Sequence, residues 1–208
     1  MNWQMSTLAA IMAGMATNDY HIITHWRVQS TLQEVNAILG DAADLPRWWP
    51  AVYLDVKILA PGDAVGLGRV VSLFTKGWLP YTLRWQFKVT EVNGLNGFAL
   101  QAVGDFIGRG IWTFEQAGEF VNITYDWKIS AEKGVLKTFS FIMKPIFSKN
   151  HLWAMRKGEE SLQLELQRRH APTPEARALV LPPPQPTFQW SIRKGSQARG
   201  EMLFDERI

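Results

Sequence analysis

Apolar and polar residues alternate with a period of two through the middle of the chain, the pattern of strands that have one buried face and one wet face. In residues 81–89 and 121–129 the odd positions are apolar or aromatic and the even positions are polar. Gly, Asn and Pro residues that favour turns separate these segments. The pattern predicts seven strands, at about residues 19–28, 52–60, 67–75, 81–92, 97–106, 109–116 and 120–131.

Two short helices are predicted between the first and second strands. Thr31 with Glu34 three residues later has the spacing of a capping box, and the apolar stripe that follows stops at Gly40. Asp41 is the expected cap of the second helix, which ends at Pro50 because proline cannot continue a helix.

A long helix is predicted from about residue 148 to residue 169, with Pro145 marking an irregular start. Its apolar face is expected to carry Leu152, Met155, Leu162 and Leu166. Gly158 lies on the same face, where glycine costs about 1 kcal/mol relative to alanine. Close packing of the helix on the sheet and room for a ligand are both open as explanations.

This order of elements predicts an α+β domain, in which a seven-stranded antiparallel sheet curls around the long C-terminal helix. The domain is expected to span residues 18–170, preceded at 1–17 by a flexible, apolar N-terminal extension with Met15 as an alternative start. Residues 171–208 form the expected C-terminal tail. Six of the eleven prolines lie between residues 171 and 186, which favours polyproline conformation there rather than helix.

Composition and charge narrow the classes of function. The net charge is +3 with no basic run, so nucleic acid is not an expected partner. The chain has no Cys and four dispersed His, and standard catalytic or nucleotide-binding motifs are missing, so no metal or cofactor is expected. The apolar N-terminal stretch is about half the length of a membrane span, so we expect no transmembrane segment and a cytoplasmic location.

Several segments together resemble the START-like, or SRPBCC, superfamily and especially its polyketide cyclase/dehydrase-type members. They are the strand 20–26, the Asp-Leu-Pro-Arg-Trp-Trp-Pro segment 44–50, the segments 108–112 and 124–127, and the helix around 155–166. The resemblance implies the helix-grip, or Bet v 1-like, fold, with a deep cavity between sheet and helix that binds an apolar or aromatic molecule. The superfamily contains carriers, receptors and cyclases, so the fold does not settle the activity.

Aromatic residues are the strongest candidates for the ligand site, because the chain has 10 Trp, 11 Phe and 4 Tyr. Alternate positions of three strands place large rings on shared faces, as in pockets for flat hydrophobic molecules. The expected ligand-binding residues are Trp85, Phe87, Trp112, Tyr125 and Trp127, with Met155 and Gly158 on the helix above them. The alternative for each single ring is that it fills the core.

Few polar residues are candidates for chemistry. Arg69 could face the cavity and hold a carboxylate or an enolate, and Tyr125 could donate to a carbonyl. His151 lies near the start of the long helix, where a lone histidine is more often structural or exposed than catalytic.

Three hypotheses from different classes remain. The first is a carrier, monomeric or homodimeric, for a hydrophobic small molecule such as a lipid, quinone or aromatic metabolite. The second is a cofactor-independent cyclase or aromatase that uses Tyr125 and Arg69 as acid/base groups. The third is an interaction protein that acts through its Pro-rich tail or its apolar N-terminal segment.

Overall fold

The computed structural model describes residues 19–131, 140–187 and 203–204. The expected N-terminal extension lies outside the described residues. Seven strands are present: β1 (Asp19–Gln29), β2 (Tyr53–Ala60), β3 (Val70–Lys76), β4 (Thr82–Val92), β5 (Gly97–Gly104), β6 (Phe106–Ala117) and β7 (Phe120–Ala131). They agree with the predicted strands except at some ends. β3 begins three residues late because the loop before it is closed by Asp63, which accepts a hydrogen bond from Leu67 N.

The strands form one curved antiparallel sheet in the order β1-β7-β6-β5-β4-β3-β2. Consecutive strands from β2 to β7 are neighbours, and β1 pairs with β7 from Asp19 opposite Ser130 to Gln29 opposite Phe120. This is the predicted sheet. Its concave face carries the large side chains, since alternate residues of each strand point inward.

Two helical segments lie between β1 and β2, as predicted. Helix α1 (Leu32–Leu39) has the full capping box, with Glu34 N donating to Thr31 Oγ1 at 3.3 Å and Thr31 N donating to Glu34 Oε2 at 3.2 Å. Asp41 caps a 3₁₀ turn (Ala42–Asp44), which continues into the short helix α2 (Leu45–Trp48).

The long helix α3 runs from Ser140 to His170, so it begins earlier than predicted. Pro145 lies inside its second turn, where it removes one backbone hydrogen bond without ending the helix. Met155, Leu162 and Leu166 are buried as expected, but Leu152 is exposed. At 3.6 residues per turn the buried stripe passes through residues 151, 155, 158 and 162, and Leu152 lies about a quarter-turn away from it.

The Pro-rich segment contains a helix that the sequence analysis did not predict, α4 (Pro174–Leu179). Pro174 occupies its first turn, where a missing N–H costs nothing, and Thr173 Oγ1 accepts from Ala176 N at 3.1 Å. The expectation that this segment avoids helix is therefore wrong for these six residues.

Helices α2 and α3 are joined through a buried carboxylate. Glu165 accepts hydrogen bonds from Arg47 at 2.7 and 2.8 Å and from Arg169 Nε at 2.9 Å. Burial alone would raise the pKa of Glu165, but the hydrogen bonds from these two arginines outweigh it and lower that pKa. The contact holds the start of α2, and with it Trp48 and Trp49, against the long helix.

None of the helices within 19–131 and 140–187 combines the length and the apolar character that crossing a bilayer requires.

Candidate ligand cavity

A cavity of about 190 Å³ lies between the concave face of the sheet, α3 and the segment from α1 to β2. Aromatic rings make up much of its wall. They are Tyr20, Trp49, Tyr53, Tyr81, Trp85, Phe87, Phe98, Phe106, Trp112, Tyr125, Trp127 and Phe147. Such a wall is typical of sites for apolar small molecules.

Three of these rings form a stacked surface across β6 and β7. Tyr125 is 4.1 Å from Trp112 between ring centroids, with 18° between the planes, and 5.4 Å from Trp127, with 22°. Gly110 makes room for this arrangement, because a Cβ there would lie 2.6 Å from Tyr125 Oη and 2.9 Å from the Trp127 ring. The rings can therefore lie flat over the strand below them.

The structure brings six of the eight predicted ligand-binding residues to this cavity. They are Trp85, Phe87, Trp112, Tyr125, Trp127 and Met155. That these residues bind a ligand remains a prediction.

The other two predicted residues lie elsewhere. Gly158 packs against Trp49, where a Cβ would come within 2.3 Å of Cζ2 of the indole ring. Close packing, with Trp49 rather than with the sheet, is thus the explanation for this glycine. Arg69 donates from Nε to Pro61 O at 3.1 Å and from Nη1 to Gly40 O at 2.9 Å. It ties the loop before β3 to the end of α1 because its strand begins only at Val70.

His151 lies on the cavity wall, although its position in the sequence gave little reason to single it out. Its ring lies 6.4 Å from that of Tyr125, at 24° between the planes. Some of its surface remains accessible because it lines the cavity, but protein surrounds it, and burial lowers its pKa to about 4. Nε2 is buried and has no hydrogen-bond partner among the described residues.

Two polar groups of the wall are already paired within the protein. Thr75 Oγ1 accepts from Trp85 Nε1 at 3.0 Å, and Asn150 Oδ1 accepts from Leu79 N at 3.2 Å. Gly77 allows the second contact, since a Cβ there would lie 2.2 Å from Asn150 Oδ1.

The buried tyrosines keep their protons at neutral pH. Burial raises the pKa of Tyr53 and raises that of Tyr125 further still, with a smaller contribution from Tyr53 to the latter. Burial also raises the pKa of Tyr81 to about 12. Lys76 is the one Lys, Arg, Asp or Glu among the described lining residues. The cavity is therefore nearly uncharged and offers mainly neutral hydroxyl and ring groups.

Solved structures with the same architecture are recognisable at low sequence identity. A START superfamily protein from Mycobacterium smegmatis has a TM-score of 0.54 and 14% identity, over 68% of this chain and 98% of that one. An aromatase/cyclase from Streptomyces sp. R1128 has a TM-score of 0.55 and 16% identity, over 73% and 95%. A norcoclaurine synthase point mutant from Thalictrum flavum has a TM-score of 0.52 and 17% identity, over 72% and 97%.

No protein-family model matches the chain, and no curated protein matches it by sequence. At these identities the likeness to solved structures establishes the fold alone. The chain has the START-like, helix-grip fold that its sequence resembles.

Proposed function

We propose that this protein binds a flat, hydrophobic or aromatic small molecule, such as a quinone, lipid or polyketide-like compound, in the cavity beneath α3. The observation that carries this proposal is the stacked surface of Trp112, Tyr125 and Trp127 on the cavity wall. A planar ligand lying on such a surface gains dispersion contacts with several rings at once.

The charge of the wall supports an uncharged ligand. No Asp or Glu lies among the described lining residues. Burial keeps His151 neutral by lowering its pKa and keeps Tyr125 neutral by raising its pKa. A ligand with a full charge would lose its hydration without gaining an ion pair of comparable strength, except near Lys76.

Titration with the neutral dye N-phenyl-1-naphthylamine tests this function. Trp49, Trp85, Trp112 and Trp127 line the cavity, so dye bound there should quench the intrinsic tryptophan fluorescence saturably, with one dye per chain. Quenching that grows linearly with dye concentration would show collision in solution and not a site.

A pair of variants on α3 locates the site. Ala154 lines the cavity, so Ala154→Phe should fill part of it and weaken dye binding by about tenfold or more. Leu152→Phe also adds a phenyl ring to the same helix, at an exposed position, and should leave the dye affinity unchanged. Equal binding by both variants would place the dye outside the cavity.

Acid–base catalysis of a cyclisation is the second candidate, because His151 and Tyr125 stack within one cavity. It ranks below ligand carriage for two reasons. Arg69 is engaged elsewhere, and a histidine with a pKa of about 4 is a weak base at neutral pH. Mass spectrometry of a co-purified ligand, before and after prolonged incubation with the protein, distinguishes the two: a carrier returns the ligand unchanged.

A further inference from the structure

Two tyrosine hydroxyls reach the cavity from distant parts of the sheet. Tyr125 belongs to β7 and Tyr53 begins β2, and four strands separate β7 from β2 in the sheet. Both residues line the one cavity because the sheet curls. A ligand held between the sheet walls can therefore contact both phenols.

Neither hydroxyl is used by the protein itself. No hydrogen bond joins Tyr53 or Tyr125 to another residue in the part of the chain that the structure describes. Trp49, whose ring centroid is 5.1 Å from that of Tyr53, also lines the cavity, and its buried Nε1 has no partner among the described residues. Buried polar groups are normally paired, so unpaired donors beside a cavity indicate a partner that binds there.

The free groups of this wall are mainly donors. The indole nitrogen of Trp49 can only donate, and the two phenols keep their protons because burial raises their pKa values. Two of the side-chain acceptors, Thr75 Oγ1 and Asn150 Oδ1, already accept hydrogen bonds from Trp85 and Leu79. A ligand therefore completes this wall by supplying acceptor oxygens.

We infer that Tyr53 and Tyr125 together bind an acceptor oxygen, so that the ligand is a planar aromatic ketone or quinone rather than a hydrocarbon or a phenol. This inference rests on the proposed ligand-binding function and names the class of ligand. The stacked rings hold the aromatic plane, and the two phenols fix the direction of the carbonyl.

Three bicyclic probes of similar shape test the inference by calorimetry: naphthalene, 2-naphthol and 1,4-naphthoquinone. The quinone should bind about tenfold more tightly than either of the others, since it alone offers carbonyl acceptors. Its known reaction with thiols does not interfere, because the chain has no Cys. Failure of all three probes to bind would overturn the proposed function and this inference together, whereas equal affinities, or tighter binding of 2-naphthol, would overturn the inference alone.

Tyr53→Phe and Tyr125→Phe keep the rings and remove the hydroxyls. Each should reduce the preference for quinone over naphthalene severalfold, leave naphthalene affinity unchanged, and shift the carbonyl stretching band of the bound quinone to higher frequency. Tyr81→Phe is the matched control, since Tyr81 lines the cavity but is not one of the pair. If the folded Tyr53→Phe and Tyr125→Phe proteins retain the full preference and the unshifted band, the two-donor site does not exist.

Discussion

Burial sets the protonation of His151. An imidazole in water is half protonated near its ordinary pKa of 6.5, but on this cavity wall the pKa falls to about 4 because the charged form loses its hydration. The ring is therefore neutral at physiological pH, with a lone pair on one nitrogen and a proton on the other. This is the form that suits an uncharged ligand cavity.

The lowered pKa makes stability depend on pH. Between pH 6.5 and pH 4 the unfolded chain takes up a proton at His151 and the folded protein does not, so the free energy of unfolding should fall as the pH falls. The loss from this residue should total about 3 kcal/mol across that window, and above pH 6.5 it should vanish. Urea unfolding at a series of pH values measures it.

His151→Phe separates this contribution from those of other ionisable groups. The variant keeps a flat ring on the wall and should lose the part of the slope that belongs to residue 151. His25→Phe is the matched control, since His25 is exposed on β1. A variant at residue 151 with the same slope as the wild type would mean that this imidazole is not buried in the neutral form.

The sequence could place His151 on a helix but could not reveal its role. The predicted apolar stripe was drawn through Leu152, one residue away from the stripe that is buried. One residue is about 100° around a helix, so this shift exchanges a buried position for an exposed one. Hydrophobic residues alone did not fix the angle, because the stripe contains His151 and Gly158, which are not strongly apolar.

At the scale of elements, Gly158 sets how closely α3 approaches Trp49. Gly158→Ala would add helix propensity of about 1 kcal/mol, but the new Cβ would lie only 2.3 Å from the indole ring. Overpacking of this kind costs about 1–3 kcal/mol, so we expect a net loss of stability. Thermal unfolding of the variant measures the sign directly.

A double-mutant cycle shows whether Trp49 is the cause. In a Trp49→Leu background the ring is gone, and Gly158→Ala should become neutral or stabilising. The same destabilisation in both backgrounds would point to backbone effects in the helix instead.

The carboxylate of Glu165 links α3 to α2, and its charge should matter more than that of an exposed glutamate. Glu165→Gln weakens the hydrogen bonds to Arg47 and Arg169 in a buried place, at an expected cost of about 1–3 kcal/mol in urea unfolding. Glu160→Gln is the matched control, because its pair with Lys157 is largely exposed and should contribute less than about 0.5 kcal/mol. Equal effects of the two changes would contradict a structural role for the buried carboxylate.

Most elements could be predicted because their signals are local. Strand alternation, the capping box at Thr31 and the break at Pro50 depend on neighbouring residues, and the structure confirms them. The start of α3 and the helix α4 were missed because proline was taken as a barrier. Proline is tolerated in a first turn, as at Pro174, and its effect inside a longer helix depends on the packing around it.

At the scale of the molecule, the sheet explains which site residues were predictable. Inward-facing rings on β4, β6 and β7 follow from alternation once the curled sheet is assumed, and those residues do line the cavity. Tyr53 and Arg69 could not be assigned this way. Tyr53 reaches the cavity only through the curl of the sheet, and Arg69 points to carbonyls of a neighbouring loop whose path the alternation does not determine.

The last prediction concerns how much of the chain the fold requires. A chain cut to residues 16–170 keeps all seven strands and the whole of α3. It loses few described contacts: the bond from Arg168 to Leu181 O, that from Thr187 to Trp78 O at 3.5 Å and that from Leu203 N to Gln86 Oε1 at 2.9 Å.

No residue of α4 is buried, so removing it exposes little apolar surface of its own. The shortened chain should therefore melt cooperatively, within about 2–4 °C of the full chain for each kcal/mol that the tail contributes. A chain cut at residue 160 is the contrasting case, because it also loses Leu162, Glu165 and Leu166, which are buried between α3 and the rest of the domain. That chain should fail to melt cooperatively in calorimetry. If the 16–170 chain behaves in the same way, the C-terminal segment belongs to the folded domain and the boundary at 170 is wrong.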